Sequence, residues 1–255
     1  MQENTVKQAL KAGKLQLGAG VSQLRSPEVA RILAAAAFDW AFVDTEHGGF
    51  GIETVQDFCR VANLVGIAPI VRVADMQYPL VARALDCGAQ GIIFPRVESP
   101  EVLAQAVRWA RFPPEGVRGY GLGGPQLGYQ RHTFAEVIEH TNANTLVVLQ
   151  IETLAAFEAR DKLLSTPGID AVLIGPADLS VSLGIPGNFE HALMVKTIEA
   201  IRDSCVLHGI APGIHVRSAA LAKFWQQRGM LFLSCGNDIS YLYEKASEVV
   251  GHLRG

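Results

Sequence analysis

Two apolar strands in this sequence each run into a carboxylate, at Glu152 and at Asp178. The first reads Thr145-Leu-Val-Val-Leu-Gln-Ile-Glu152 and the second Ala171-Val-Leu-Ile-Gly-Pro-Ala-Asp178. Residues 146–149 and 171–174 are apolar at successive positions, as strands covered on both faces are. Parallel α/β folds place their chemistry at the C-terminal lips of such strands. Carboxylates at two neighbouring lips would hold a hard divalent cation. The plainer reading is helix capping, since Thr153 and Leu179 open new segments. Gln150 lies on the same side of its strand as Glu152, because side chains alternate, and can donate a hydrogen bond within that site. Gly175, Pro176, Ala177 and Asp178 form a tight turn whose free main-chain N–H groups could hold a carboxylate.

A second cluster follows another apolar run, in Val43-Asp44-Thr45-Glu46-His47-Gly48-Gly49. Here a carboxylate could hold His47 as a general base, with Asp44 as its partner; the alternative is a polar loop with a capping Asp. In Ile70-Val71-Arg72-Val73 an arginine interrupts a β-branched run, which is costly unless it meets an anion. Either a substrate oxygen or a structural ion pair would meet that need. The lysines are Lys7, Lys11, Lys14, Lys162, Lys196, Lys223 and Lys245. None falls in an expected strand or at a lip, where imine chemistry needs one. A metal ion is then the expected electron sink.

The elements that must position these groups alternate along the chain. Strands are expected at 15–19, 40–45, 68–73, 91–95, 146–151, 171–175, 211–216 and 231–235. Helices are expected at 52–65, 79–87, 154–164, 191–208, 218–228 and 240–253, with two more after Ser26-Pro27-Glu28 and Ser99-Pro100-Glu101. Each of those triplets reads as an N-cap Ser, Pro in the first turn and an acid. Eight β/α units in 255 residues fit a (β/α)8 TIM barrel, a single domain over 1–255. A doubly wound open sheet is the alternative. Residues 111–125 break the alternation with a Pro/Gly-rich loop, expected as a subunit contact or an active-site flap. Its glycines lack the strand and helix that a dinucleotide fingerprint requires.

Composition narrows the partners. Net charge is −3, which gives no footprint for nucleic acid or a membrane surface. No apolar run approaches the roughly 20 residues that span a bilayer. The first residues lack the pattern of a signal peptide. Cys59, Cys87, Cys205 and Cys235 are scattered and expected as reduced, buried thiols, so the expected location is cytoplasmic.

With these residues in view, the chain resembles the class II, metal-dependent pyruvate aldolases of the 4-hydroxy-2-oxoheptanedioate, 2-dehydro-3-deoxyglucarate and 2-keto-3-deoxy-L-rhamnonate aldolase type. The resemblance rests on Phe38-Asp-Trp-Ala-Phe-Val-Asp-Thr-Glu-His47, Leu85-Asp-Cys-Gly-Ala-Gln90, Phe112-Pro-Pro-Glu-Gly-Val-Arg-Gly119, Gln150-Ile-Glu-Thr153 and Ile174-Gly-Pro-Ala-Asp-Leu-Ser180. These stretches span most of the chain in the family's order. The resemblance implies that Glu152 and Asp178 bind a divalent metal (Mg²⁺, Mn²⁺ or Co²⁺), with no organic cofactor. It implies proton transfer by His47 with Asp44, and contact of Arg72 with the enolate oxygen. Gln150 and the main chain over Gly175–Asp178 would orient the carboxylate of the 2-oxo acid. A homo-hexamer of paired subunits is implied, with Asp86 near a neighbouring subunit's site.

The implied reaction is reversible cleavage of a 4-hydroxy-2-oxo acid to pyruvate, or hydroxypyruvate, and an aldehyde. The sequence departs from familiar members after strands seven and eight, where His215 and Asn237 replace apolar residues. That region lines the aldehyde side, and a more polar lining suits a small hydroxylated aldehyde. Other metal-enolate lyases, acting on acyl-CoA substrates or as decarboxylases, are rival readings. No basic cluster at the lips would bind the phosphates of CoA. A barrel acting only as a binding protein is the rival of a different class.

Overall fold

The computed structural model describes residues 1–255. Strands β2–β6 and β8 divide their side chains between two hydrophobic cores, and this division places the chemistry. One core fills the interior of a closed barrel and includes Trp40, Phe42, Ile70, Val148, Leu173 and Phe232. The other lies between the barrel wall and the helices and includes Val43, Val71, Leu149, Val172 and Leu233. Period-two alternation makes both from the same strands.

The strands are β1 (Gln16–Val21), β2 (Trp40–Asp44), β3 (Ala68–Arg72), β4 (Gly91–Phe94), β5 (Leu146–Ile151), β6 (Ala171–Ile174), β7 (Gly213–Val216) and β8 (Phe232–Asn237). They pair in parallel in chain order, and β8 closes on β1. The helices are α1 (Thr5–Lys11), α2 (Glu28–Ala35), α3 (Ile52–Val65), α4 (Tyr78–Asp86), α5 (Pro100–Trp109), α6 (Phe134–Asn144), α7 (Leu154–Glu158), α8 (Arg160–Leu164), α9 (Pro176–Ser182), α10 (Ala192–Leu207), α11 (Ala219–Gln226) and α12 (Asp238–Arg254). This is the expected (β/α)8 barrel and not the open sheet.

Several boundaries differ from expectation for physical reasons. The first strand starts and ends later than expected, because Gly18 and Gly20 carry no apolar signal. A Cβ at Gly18 would sit 2.3 Å from the Trp40 ring, which stacks on Phe232 at 3.9 Å. The expected helix over 154–164 is two short helices meeting at Ala159. The turn at Gly175 opens a helix instead, since Pro176 is preorganised for the first turn. Ser99 caps α5 as expected, and Ser26 Oγ accepts from the Glu28 N–H at 3.3 Å at the start of α2.

The N-terminal helix α1 closes the bottom of the barrel. Val6 and Leu10 join the interior core, and Lys7 pairs with Asp170 at 3.0 Å and donates to the Thr145 carbonyl at 2.9 Å. At the chain's other end α12 buries only Asp238. No helix is long and apolar enough to cross a membrane. The cysteines are unpaired, and burial pushes each thiol up in pKa.

Candidate active site

On several strands the last interior apolar residue is followed, two positions on, by a functional group. Phe42 leads to Asp44, Ile70 to Arg72, Val148 to Gln150 and then Glu152, and Leu173 to Gly175. Gly213 leads likewise to His215, and Phe232 to Ser234. The inward stripe that is apolar in the barrel is polar at its C-terminal mouth. A cavity of about 580 Å³ opens there. Asp44, His47, Arg72, Gln150, Gly175, Pro176, Ala177, Asp178, His215 and Asn237 all line it.

Parallel pairing sets Asp44 beside Arg72. The guanidinium grips the carboxylate at both ends, Nε to Oδ1 at 3.0 Å and Nη2 to Oδ2 at 2.7 Å. Burial alone would raise the Asp44 carboxyl, but Arg72 and the main-chain N–H groups of Glu46 and His47 hold it below the ordinary range. Asp44 therefore binds His47 through the main chain, at 3.2 Å, while the His47 ring stands exposed at the mouth. Its nearest charged neighbour is Glu46, 4.0 Å from Nε2. Gly48 permits this turn: a Cβ there would lie 2.2 Å from the Asp44 carbonyl oxygen.

Glu46 and Arg96 are functional candidates the sequence reading missed. The buried Glu46 carboxylate pairs with Arg72 at 3.0 Å and with Arg96 at 2.9 Å. Strand parity from Asp44 could have identified it. Arg96, at φ 55°, turns its main-chain N–H onto Glu152 Oε1 at 3.0 Å. No motif in the sequence marks that contact.

Glu152 lies beneath the cavity, nearly sealed from solvent, with Oε2 against the Gln150 amide. Burial pushes its carboxyl up, and nearby Glu46 adds to the shift, opposed by the Arg96 N–H and by Arg72. A Cβ at Gly175 would come within 2.9 Å of Glu152 Oε2 and 3.0 Å of Gln150 Nε2, so only glycine leaves this space open. Gln150 Oε1 is buried without a hydrogen-bond partner, while Glu46 Oε2 faces the Arg72 guanidinium at 3.0 Å. A buried, acid-rich pocket with an unpartnered amide oxygen suits a hard cation. No three His, Cys, Asp or Glu side chains converge into a closed metal cage. That arrangement fits an ion that uses one or two carboxylates and keeps several waters, as Mg²⁺ does. Beside it, the N–H groups of Ala177 and Asp178 at the start of α9 have no main-chain partner.

The family model for HpcH/HpaI aldolase/citrate lyase matches residues 22–244. The chain belongs to the HpcH/HpaI aldolase/citrate lyase family. An Escherichia coli relative, 4-hydroxy-2-oxo-heptane-1,7-dioate aldolase, is 34% identical over 248 residues, 96% of this chain and 92% of the relative. The HpcH/HpaI aldolase from Desulfitobacterium hafniense DCB-2 superposes with a TM-score of 0.93 at 31% identity, covering 97% of this chain and 96% of that one. An HpcH/HpaI aldolase/citrate lyase family protein from Burkholderia cenocepacia J2315 gives 0.91 at 30%, covering 99% and 100%. Aldolase and citrate lyase reactions both break carbon–carbon bonds, so this family member is a carbon–carbon lyase.

Two sequence expectations lie away from the HpcH/HpaI-type cavity. Asp86 sits at the far end of α4 and pairs with Arg118 at 2.7 Å. The 111–125 loop packs on the same helix, with Gly119 N–H donating to the Tyr78 hydroxyl at 2.8 Å. No residue of that loop lines the cavity.

Proposed function

We propose that the chain is a divalent-metal-dependent aldolase. It cleaves a 4-hydroxy-2-oxo acid, reversibly, to pyruvate or hydroxypyruvate and an aldehyde. One observation carries this reading: a buried carboxylate with a raised pKa and a doubly pinned arginine share one barrel mouth with an exposed histidine. Glu152 and Asp178 would hold Mg²⁺, Mn²⁺ or Co²⁺. Such a cation would supply Lewis-acid polarisation of a carbonyl group.

The protein's own groups do the rest. Gln150 and the N–H groups of Ala177 and Asp178 orient the substrate carboxylate at the start of α9. Asp44 and Glu46 pin Arg72 so that it faces the 2-oxygen without reorganisation. His47 takes the proton of the 4-hydroxyl, directly or through a water. The C3–C4 bond then breaks, C4 leaves as the aldehyde carbonyl, and the electron pair stays on the pyruvate fragment.

The chain is one barrel domain over 1–255, and it works in the cytoplasm without an organic cofactor. Its exposed α12 stripe supports assembly into a homo-hexamer, with Asp86 near the site of a neighbouring subunit. The test is an aldehyde panel with pyruvate and hydroxypyruvate, run with and without added metal after EDTA treatment. Activity that requires added metal is expected. Full activity in rigorously metal-free buffer rejects the proposal.

A further inference from the structure

The β7–β8 side of the cavity holds one side chain whose hydrogen-bonding state the structure determines. His215 faces Ser234 across the β7–β8 pairing, and its Nδ1 lies 2.8 Å from Ser234 Oγ. The ring stands edge-on to Phe42 at 5.5 Å, and Phe42 also carries the Arg72 guanidinium at 5.1 Å. The imidazole is therefore fixed between β7, β8 and β2 at the cavity wall.

The buried Ser234 assigns the ring's proton. Its hydroxyl is fully enclosed and has no acceptor other than His215 Nδ1. A buried hydroxyl proton left unpaired is costly. Ser234 therefore donates, Nδ1 accepts, and the imidazole proton sits on Nε2. Nε2 has no protein partner and is not walled off, so its N–H opens into the cavity. Burial, then Arg72 and Arg217, push the His215 pKa down to about 4 against the pull of Asp44. At neutral pH the group is an uncharged donor and not a base.

Phe42 packs edge-on against the His215 ring, Leu173 lines the same cavity, and Arg72, Asp44 and Arg217 are its charged neighbours. On the same side, Asn237 Oδ1 is committed to capping α12 through Ser240 N–H at 2.9 Å. The groups for the oxo acid stand on β3 (Arg72), β5 and β6, and those for proton transfer follow β2. The remaining arc of the cavity, over β7, β8 and β1, is where the aldehyde fragment fits.

We propose that His215, its tautomer set by Ser234, is a specificity-determining residue whose Nε2–H binds a hydroxyl of the aldehyde fragment. The chain then takes hydroxylated aldehydes in preference to their deoxy counterparts. This inference rests on the aldolase reading above and adds the substrate class to it. A site built to bond a hydroxyl discriminates strongly against an analogue that leaves its donor unpaired. For one donor partly open to water, the preference should be about 10- to 100-fold in kcat/KM.

The experiment compares glycolaldehyde with acetaldehyde, and glyceraldehyde with propanal, each with pyruvate and metal. The wild type should favour the hydroxylated member of each pair at least tenfold. In His215→Leu the ratio should fall toward unity, with the loss carried by the KM of the hydroxylated aldehydes. Equal loss for both members, or an unchanged ratio, overturns the inference. ¹⁵N NMR of labelled histidine gives a reading independent of turnover. His215 should be the Nε2–H tautomer at pH 7, and Ser234→Ala should let the tautomers mix. An Nδ1–H tautomer in the wild type overturns the inference even if the leucine variant does not fold. No turnover of any aldehyde sinks the aldolase reading itself, which is a distinct outcome.

Discussion

At the scale of single residues, the site keeps four charged side chains, on Asp44, Glu46, Arg72 and Glu152, largely out of water. Glu152 is the clearest case. Its folded-state pKa is raised, so folding favours the protonated form. Its contribution to stability is present at low pH and is lost as pH rises through that raised value. At pH 7 the metal-free protein therefore holds a penalty that a bound cation removes. Glu152→Gln should raise the melting temperature of the metal-free protein and abolish the further rise on adding Mg²⁺ or Mn²⁺. For each kcal/mol relieved, the shift should be about 2–4 °C in a chain of this size. The gap between variant and wild type should widen as pH rises above the ordinary carboxylate range; scanning calorimetry would refute the assignment if the gap narrowed. Arg72 makes the complementary case. Arg72→Lys keeps the charge but loses the two-point grip on Asp44, and kcat/KM should fall roughly 10²-fold. A fall below threefold in steady-state kinetics would remove Arg72 from the chemistry. The types of both residues stood out in the sequence, as a carboxylate and an arginine ending apolar runs. Their partners did not: Asp44 was assigned to the His47 ring but serves Arg72, because pairing between β2 and β3 is non-local.

At the scale of elements, strand parity does the positioning. Apolar runs made the eight strands legible, since a wall buried on both faces must be apolar at every position. The short helices were harder. In α1 the apolar signal is only Val6 and Leu10, and its anchor, Asp170, lies far along the chain. In α9 the proline reads equally as a turn or as a first helical residue. The junction of β6 and α9 is where an element's path bears directly on the site. Gly175 lets the chain pass within van der Waals distance of Glu152 and Gln150. Gly175→Ala would push a methyl into both, and neither side chain is free to retreat, because Arg96 N–H holds the other Glu152 oxygen. The variant should fold, losing about 1–3 kcal/mol to overpacking. Its affinity for Mn²⁺ should drop at least tenfold, as measured by calorimetric titration. Unchanged affinity with an unchanged fold would mean that Glu152 is not a ligand.

At the scale of the molecule, one feature of a single chain is unfinished. The last helix of a barrel ordinarily covers the β8–β1 wall, yet α12 buries only its first residue. Ile239, Leu242, Ala246, Val249 and Leu253 recur at spacings of three and four, which puts them on one helix face. All are exposed in the single chain. A bare stripe of this kind is where another copy would pack. Asp86, far from its own cavity and beside the 111–125 loop, would face another copy through the same assembly. Charges at Leu242 and Val249 cost the isolated barrel little, because both side chains are exposed in it. Leu242→Glu combined with Val249→Glu should leave the far-ultraviolet spectrum and the barrel's fold intact. It should convert the proposed hexamer to smaller species in sedimentation velocity and lower kcat as the neighbour's contribution is lost. A wild type that sediments as a monomer at micromolar concentration, fully active, would refute both the assembly and the placement of Asp86.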